Sequence, residues 1–205
     1  MPKVSAKTIE ARTLAAISSA APDSVLRTVV VTAAGVSRYT VDAPGQATER
    51  VRTNKAGRTT EVTAIRQDPG TAGVYQMITI DFVSRTWSET DLHAPSTAPA
   101  IENPAKAIAA QLHQDETVGT NGHARVVGTA IIDGQRAYTI LLTGPGAPPS
   151  KLWISQATSL PIKAASQGAD VTYHWSAPSA GAAASLWPSI PAGSTKVAAP
   201  PVGGR

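Results

Sequence analysis

Apolar and polar residues alternate along most of this 205-residue chain, and a two-residue period predicts β-strands. The pattern is clearest from Ala124 to Ala164, where it predicts two successive β-hairpins. Asp133-Gly134 separates the first pair of strands and is a strong signal for a two-residue hairpin turn. Similar patterns predict about five or six strands before this stretch and about five from its start onwards. Short connections between them indicate antiparallel neighbours.

Two segments carry a helical period instead. Residues 5–21 place isoleucine, leucine and alanine on one stripe, and Pro22 ends this helix. Residues 103–113 begin with Asn103-Pro104, an N-cap residue followed by proline at the first helical position. A helix of this length is not stable alone, so we expect it to dock on an apolar surface.

Together these elements predict an α+β fold. We expect a large, curved antiparallel sheet that forms an unclosed β-barrel, with two or three helices packed on its concave face. The strand that starts at Val74 is apolar on both faces, which is typical of a strand between two layers. Residues 5–197 are predicted to form a single domain, and the Pro/Gly-rich residues 198–205 to form a disordered tail.

Composition narrows the class of protein. The chain has no cysteine, so disulfides and thiolate chemistry are excluded. Only 4% of the residues are aromatic, which leaves small and β-branched side chains to fill the core. The net charge of +4 is spread along the chain without a basic run, so we expect no nucleic-acid partner. No apolar run is long enough to span a bilayer.

The motifs of common catalytic and metal sites are missing. The four histidines show no ligand spacing, and no G-x-S-x-G motif is present. We therefore expect no catalytic residue, no metal and no cofactor, and a hydrolase is disfavoured. Four arginines on neighbouring strands form a predicted basic face that is compatible with lipid headgroups, although a solvated outer face is the favoured interpretation. These arginines are Arg50, Arg52, Arg58 and Arg66.

Three sequence elements carry a family resemblance. They are a hairpin from Val127 to Tyr138, a second that joins Leu152–Ser155 to Leu160–Lys163, and Pro191-Ala192-Gly193 near the end. These elements resemble those of the bacterial lipoprotein-carrier superfamily in its actinobacterial form. The chain departs from the family pattern where Asp, Gly and an aromatic residue are usual, at Ser155, Ser159 and Ser194 respectively.

The resemblance implies a hydrophobic cavity that holds acyl chains between the barrel and its helices. The residues support this at one point, because alanine-rich helical stripes leave apolar space that favours an apolar guest. The alternative is a dry, packed core. The expected lining consists of Leu14, Ile17, Ile78, Ile80, Phe82, Ile108, Leu112, Val126, Tyr138, Ile140, Trp153 and Ile162.

We therefore expect a non-enzymatic carrier or binding protein for a lipid or acylated ligand. Its expected location is extracytoplasmic, with any anchor or export signal upstream of this sequence, and its expected state is monomeric. A membrane surface or an envelope protein is a further expected partner. The alternative is an envelope sensory or regulatory domain of the same fold that acts on a protein partner.

Overall fold

A computed structural model describes residues 4–20, 23–68, 70–93, 123–144, 147–179 and 181–199. These ranges contain two helices, α1 (Ala6–Ala20) and α2 (Ala182–Ser185). They also contain the strands β1 (Val25–Thr32), β2 (Gly35–Asp42), β3 (Ala47–Asn54), β4 (Thr59–Gln67), β5 (Val74–Asp81), β6 (Thr86–His93), β7 (His123–Ile132), β8 (Gln135–Gly144), β9 (Ala147–Ser155), β10 (Pro161–Ser166), β11 (Ala169–Ser176) and β12 (Thr195–Lys196).

Hydrogen bonds join the strands in the order β12-β6-β5-β4-β3-β2-β1-β11-β10-β9-β8-β7. The pairs from β2 to β6 and from β7 to β11 are antiparallel, whereas β12 runs parallel to β6. This confirms a large, mainly antiparallel sheet of the α+β class, and its described strands form a linear order rather than a ring. The helix predicted over residues 103–113 lies outside the described residues. Packing of helices on a concave face stays a prediction.

The chain forms two compact units. In its described part, the first unit contains α1, Val30–Ala33, β7 to β10 and most of β11. The second contains Asp23–Val29, β2 to β6, the end of β11, α2 and β12. The single domain predicted over residues 5–197 stays a prediction, and the tail predicted over residues 198–205 lies mostly outside the described residues.

In the first unit, α1 begins where the sequence predicts. The Ser5 hydroxyl caps the helix by accepting the Thr8 backbone N–H at 3.1 Å. Ile9, Thr13 and Ile17 recur every four residues and form the buried stripe, and the helix packs against β7. The hydrophobic period therefore predicts the helix and the burial of Ile9 and Ile17, whereas Thr13 is a polar member of the buried face.

The predicted hairpin turn is confirmed at Asp133-Gly134. Both residues have positive φ, 48° and 77°, as a two-residue type I′ turn requires. Gly134 adopts this conformation without a steric penalty, and Asp133 is among the residue types that tolerate it. The turn places Ile132 opposite Gln135 and sets the register of β7 against β8.

In the second unit, a small core lies on one face of β4 and β5. Ala64, Ile78 and Ile80 are almost fully buried, and Trp87 and Trp187 pack against them. Cross-strand pairing explains the cluster, because Ala64 lies opposite Ile78 and Ile80 lies opposite Trp87. Trp187 reaches this face from the segment that follows α2.

Candidate functional site

The strands of the first unit bring part of the predicted lining together. Val126 lies directly opposite Ile140, which lies opposite Leu152 on the next strand. Tyr138 shares this face of the sheet, because it lies two residues before Ile140, and it pairs with Ile154. Ile140 is buried, whereas Val126 and Tyr138 are half-buried. The result is a continuous apolar face across three strands.

Helix α1 contributes the predicted residues Leu14 and Ile17. Ile17 is buried and Leu14 is half-buried. The buried face of α1 also holds two polar residues that the hydrophobic pattern did not indicate. Glu10 is 7% exposed and Thr13 is fully buried. The interior of the first unit is therefore apolar with polar groups placed inside it.

Two predicted lining residues on β9 and β10 occupy different environments. Ile162 is buried at an irregularity in the β9–β10 pairing between Pro161 and Lys163. Trp153 lies opposite Thr139, the residue between Tyr138 and Ile140 on β8. Because side chains alternate along a strand, Trp153 projects from the face opposite to Ile140. The structure does not bring Trp153 together with the other predicted residues of the first unit.

The predicted residues of the second unit are Ile78, Ile80 and Phe82. Ile78 and Ile80 are 2% and 0% exposed, and they are covered by the two tryptophans of the β4–β5 core. Phe82 follows the end of β5 in a turn and is 39% exposed. The isoleucines therefore form a packed core with Trp187, whereas Phe82 lies at the surface. Ile108 and Leu112 lie outside the described residues.

A polar chain holds Trp187 in place. The Arg66 guanidinium carbon lies 4.0 Å from the centroid of the Trp187 ring. Arg66 Nε and Nη2 both donate to Gln76 Oε1, at 3.2 and 2.9 Å, so the guanidinium plane is fixed. Gln76 Nε2 in turn donates to Asp68 Oδ2 at 3.3 Å. The segment after α2 is thereby anchored on the sheet by a cation–π contact.

The predicted basic face is divided between the two sides of the sheet. Arg50 Nη2 lies 2.6 Å and Arg52 Nη1 lies 3.4 Å from Glu61 Oε1, so both arginines share one carboxylate. Arg50 lies opposite Thr63 on β4, so these two side chains are on one side of the sheet. Arg66 follows Thr63 by three residues, and this odd spacing places Arg66 on the other side. The four arginines do not form one cationic surface.

Among the described residues, three titratable groups have pKa values shifted from their ordinary ones. Burial raises the pKa of Tyr173 to about 12, and it also raises the pKa of Glu49. Hydrogen bonds from the Ser84 backbone N–H and side chain, and then from the Val83 N–H, lower the pKa of Asp81 at the end of β5. These groups lie on β11, β3 and β5, and only Tyr173 belongs to the first unit.

The part of the chain that the structure describes was also compared with metal sites and membrane-spanning helices. Among these residues, no three His, Asp or Glu side chains are grouped as metal ligands would be. No helix in the described ranges combines the length and apolar character needed to cross a bilayer.

No protein-family model matches this sequence, and comparison with curated proteins gave no match. Several solved structures are similar to this chain at low sequence identity. An uncharacterized conserved protein from Thermus thermophilus is 10% identical with a TM-score of 0.49, over 95% of this chain and 99% of that chain. The Pseudomonas aeruginosa MucA/MucB complex gives 15% identity and a TM-score of 0.42, over 90% of this chain and 61% of that chain.

A LolA superfamily protein from Nitrosomonas europaea gives 13% identity and a TM-score of 0.28, over 85% of this chain and 92% of that chain. A member of the superfamily that the sequence resembles is therefore among the structural neighbours. At TM-scores below 0.5, however, these similarities establish neither a family nor a function for this chain. Its actinobacterial character stays a prediction.

The hydrophobic pattern missed several buried residues next to the predicted lining. Leu152 and Ile154 flank Trp153, and strict alternation would have selected them once Ile140 was chosen. Tyr173 is 7% exposed and lies two residues from Val171, which pairs with Ala164. Glu10 and Thr13 carry no sequence signal, because polar residues on a helix are expected on its solvated face.

Proposed function

We propose that this protein is a non-enzymatic, extracytoplasmic carrier or binding protein for a lipid or another acylated ligand. The ligand's apolar chain would lie along the apolar face of the first unit, beside Val126, Ile140 and Leu152. Its polar end would lie at α1. The proposal agrees with the family resemblance of the two hairpins and is supported by one feature of the helix.

That feature is the buried hydroxyl of Thr13. Its side chain is fully buried, and within the described part of the chain its Oγ1 has no hydrogen-bond partner. Leaving a buried hydroxyl unsatisfied costs about 1–3 kcal/mol, so natural cores rarely retain one. A valine would fill the same space in a dry core without that cost. A ligand with a carboxyl, ester or hydroxyl end would supply the missing partner.

The position of Thr13 suits an amphiphilic ligand. It lies between Ile9 and Ile17 on the stripe of α1 that is buried, and α1 packs against β7, the strand of Val126. A ligand that hydrogen-bonds to Thr13 would therefore meet apolar side chains on both sides. Most of its surface would contact hydrocarbon, and its orientation would be set by a single polar group.

Lipid binding can be tested on the purified chain. An organic extract should contain a co-purified acyl lipid by mass spectrometry, and the delipidated protein should take up a fluorescent fatty acid. A lipid-free preparation that takes up no fatty acid would overturn the proposal and favour the regulatory alternative. Acyl-ester turnover that is abolished by one Ser or His substitution would overturn the non-enzymatic assignment.

The role of Thr13 has its own control. Thr13→Val should weaken fatty-acid binding about tenfold, the loss expected for one hydrogen bond, and should stabilise the ligand-free protein. Thr8→Val removes an exposed hydroxyl of the same helix and should leave the affinity unchanged. If Thr13→Val stabilises the protein but leaves the affinity unchanged, the ligand does not contact Thr13.

A further inference from the structure

A second surface of the first unit combines an aromatic side chain with several cations. We call it the Trp153 face, and it consists of Arg125, Leu141, Lys151, Trp153 and Lys163. Strand register places these residues side by side. Leu141 pairs with Arg125 on one side and with Lys151 on the other, and Trp153 pairs with Lys163. All five side chains project from the side of the sheet opposite to Ile140.

The cations of the Trp153 face are accessible. Arg125 and Lys151 are exposed, and Trp153 and Leu141 are half-buried between them. Lys163 Nζ lies 5.6 Å from the centroid of the Trp153 ring, which keeps the ammonium over the indole. Its nearest carboxylate oxygen is Asp170 Oδ1 at 4.0 Å, and that side chain is itself 61% exposed.

The electrostatic balance of this face is positive. Among the described side chains, strand alternation places three cations and one carboxylate, that of Asp170, on it. The salt bridges of the described residues leave Arg125 and Lys151 without a carboxylate partner. In the second unit, by contrast, Arg50 and Arg52 share Glu61. The Trp153 face therefore carries a local excess of positive charge.

We propose that the Trp153 face docks on the surface of an anionic lipid bilayer. Tryptophan prefers the headgroup level of a membrane, because its ring is apolar and its N–H is polar. Lysine and arginine are attracted to anionic lipid while their stems cover apolar surface. The Trp153 face has Trp153 and Leu141 at its centre and cations on both sides. It therefore combines the aromatic residue that prefers the headgroup level with the cations that anionic lipid attracts. This inference does not rest on the proposed ligand site.

A bilayer fits this face better than a nucleic acid. Neighbouring strands lie about 4.8 Å apart, so the rows from β7 to β10 form a broad surface rather than a groove. Stacking of bases calls for several accessible rings, whereas Trp153 is one half-buried aromatic residue on this face. Its half-buried apolar neighbours suit shallow contact with headgroups and upper acyl chains.

Vesicle flotation tests the charge requirement. The full chain should float with vesicles of phosphatidylcholine that contain about a third phosphatidylglycerol, and not with pure phosphatidylcholine. Lys151→Gln with Lys163→Gln should lower the partition coefficient about twenty-five-fold, since each cation contributes about fivefold. Lys55→Gln with Arg58→Gln removes the same charge from an exposed turn and should change binding by less than about threefold.

Several outcomes would overturn the proposal. These are failure of the unchanged protein to float with anionic vesicles, equal binding to both vesicle types, and equal losses in the two charge variants. Binding to heparin without binding to anionic vesicles would indicate a soluble polyanion as partner and would also exclude the bilayer. Fatty-acid uptake by the Lys151/Lys163 variant should stay normal, which separates failure of docking from failure of the ligand site.

Lipid contact by Trp153 has a direct optical readout. Brominated lipids quench tryptophans that reach the bilayer, so they should quench the fluorescence of the vesicle-bound protein. Trp153→Phe should abolish most of this quenching, and Trp187→Phe should not, because Trp187 lies against Arg66 in the second unit. Unchanged quenching in Trp153→Phe would show that the protein docks through another surface.

Discussion

Arg66 lies over Trp187 at 4.0 Å, and this contact attaches the segment after α2 to the sheet of the second unit. The two residues come from distant parts of the sequence. Trp187 also covers Ala64, Ile78 and Ile80, so one side chain closes the core and carries the cation–π contact. In the second unit, Trp187 therefore occupies the face on which the sequence predicts a ligand.

Trp187→Ala should lower the free energy of unfolding by about 2–3 kcal/mol, because it uncovers part of the β4–β5 core. Ile190→Ala changes an exposed side chain of the same segment and should cost less than about 0.5 kcal/mol. Arg66→Met should lower the free energy of unfolding by about 1 kcal/mol in the unchanged protein, and by less in the protein that already carries Trp187→Ala. Urea unfolding of the four variants measures this coupling, and additive losses would contradict it.

Ser159 is strained in the turn between β9 and β10. Its φ of 58° is left-handed, a conformation that costs an L-residue about 1–2 kcal/mol and costs glycine little. Ser159→Gly should therefore stabilise the protein by up to about 1 kcal/mol, after the added entropy of the unfolded chain is counted. Ala157→Gly, in the same turn at negative φ, should destabilise it. Equal shifts in the urea midpoint would show that the turn is unstrained.

Glu49 should make stability depend on pH in a defined direction. Burial raises its pKa above the ordinary value of 4.5, so the folded state holds the proton more tightly than the unfolded state. Its contribution is favourable at low pH and is lost as the pH rises from 4.5 through the folded-state pKa. Glu49→Gln should stabilise the protein at neutral pH and have little effect below 4.5. A loss of stability at neutral pH would instead reveal a favourable role for the carboxylate.

Tyr173 should produce a corresponding effect in alkaline solution. Its pKa is raised from 10.0 to about 12, because the 7% exposed side chain is desolvated. Stability should therefore be unaffected by this group below pH 10 and should fall between 10 and about 12. Tyr173→Phe should remove that part of the decline, measured by urea unfolding at about pH 9 and about pH 11. An identical decline in both proteins would show that another group is responsible.

Alternation was sufficient to predict most strands, because each side of a strand repeats every second residue. The pairing of Thr129 with Tyr138 follows from it once the Asp133-Gly134 turn fixes the register. The pairing of Val126 with Ile140 does not, because an irregularity between Val126 and Gly128 shifts the register by one residue. The choice of Trp153 over its neighbours could not be made in this way. Leu152, Trp153 and Ile154 are all apolar, so the sequence allows either face to be buried, and only the pairing of Trp153 with Thr139 and Lys163 decides.

The segment after Ser179 could not be predicted for a different reason. Its Ala, Pro and Gly residues carry no period, and its short strand depends on a partner far away in the sequence. β12 exists because the Thr195 N–H donates to Arg85 O at 3.0 Å and the Val197 N–H to Trp87 O at 2.8 Å. Likewise, the burial of Thr13 depends on what packs against α1, and no local propensity indicates it.

The parallel pairing of β12 with β6 covers part of a sheet edge. A long sheet edge with free N–H and C=O groups is a template for pairing with another chain. Two residues of β12 occupy part of that edge of β6, with Lys196 Nζ lying 4.6 Å from the centroid of the Trp87 ring. A charged, two-residue strand is too short to recruit a further strand. The C-terminal segment therefore covers the Thr86–Trp87 end of the β6 edge, and its removal should expose that end to pairing with another chain.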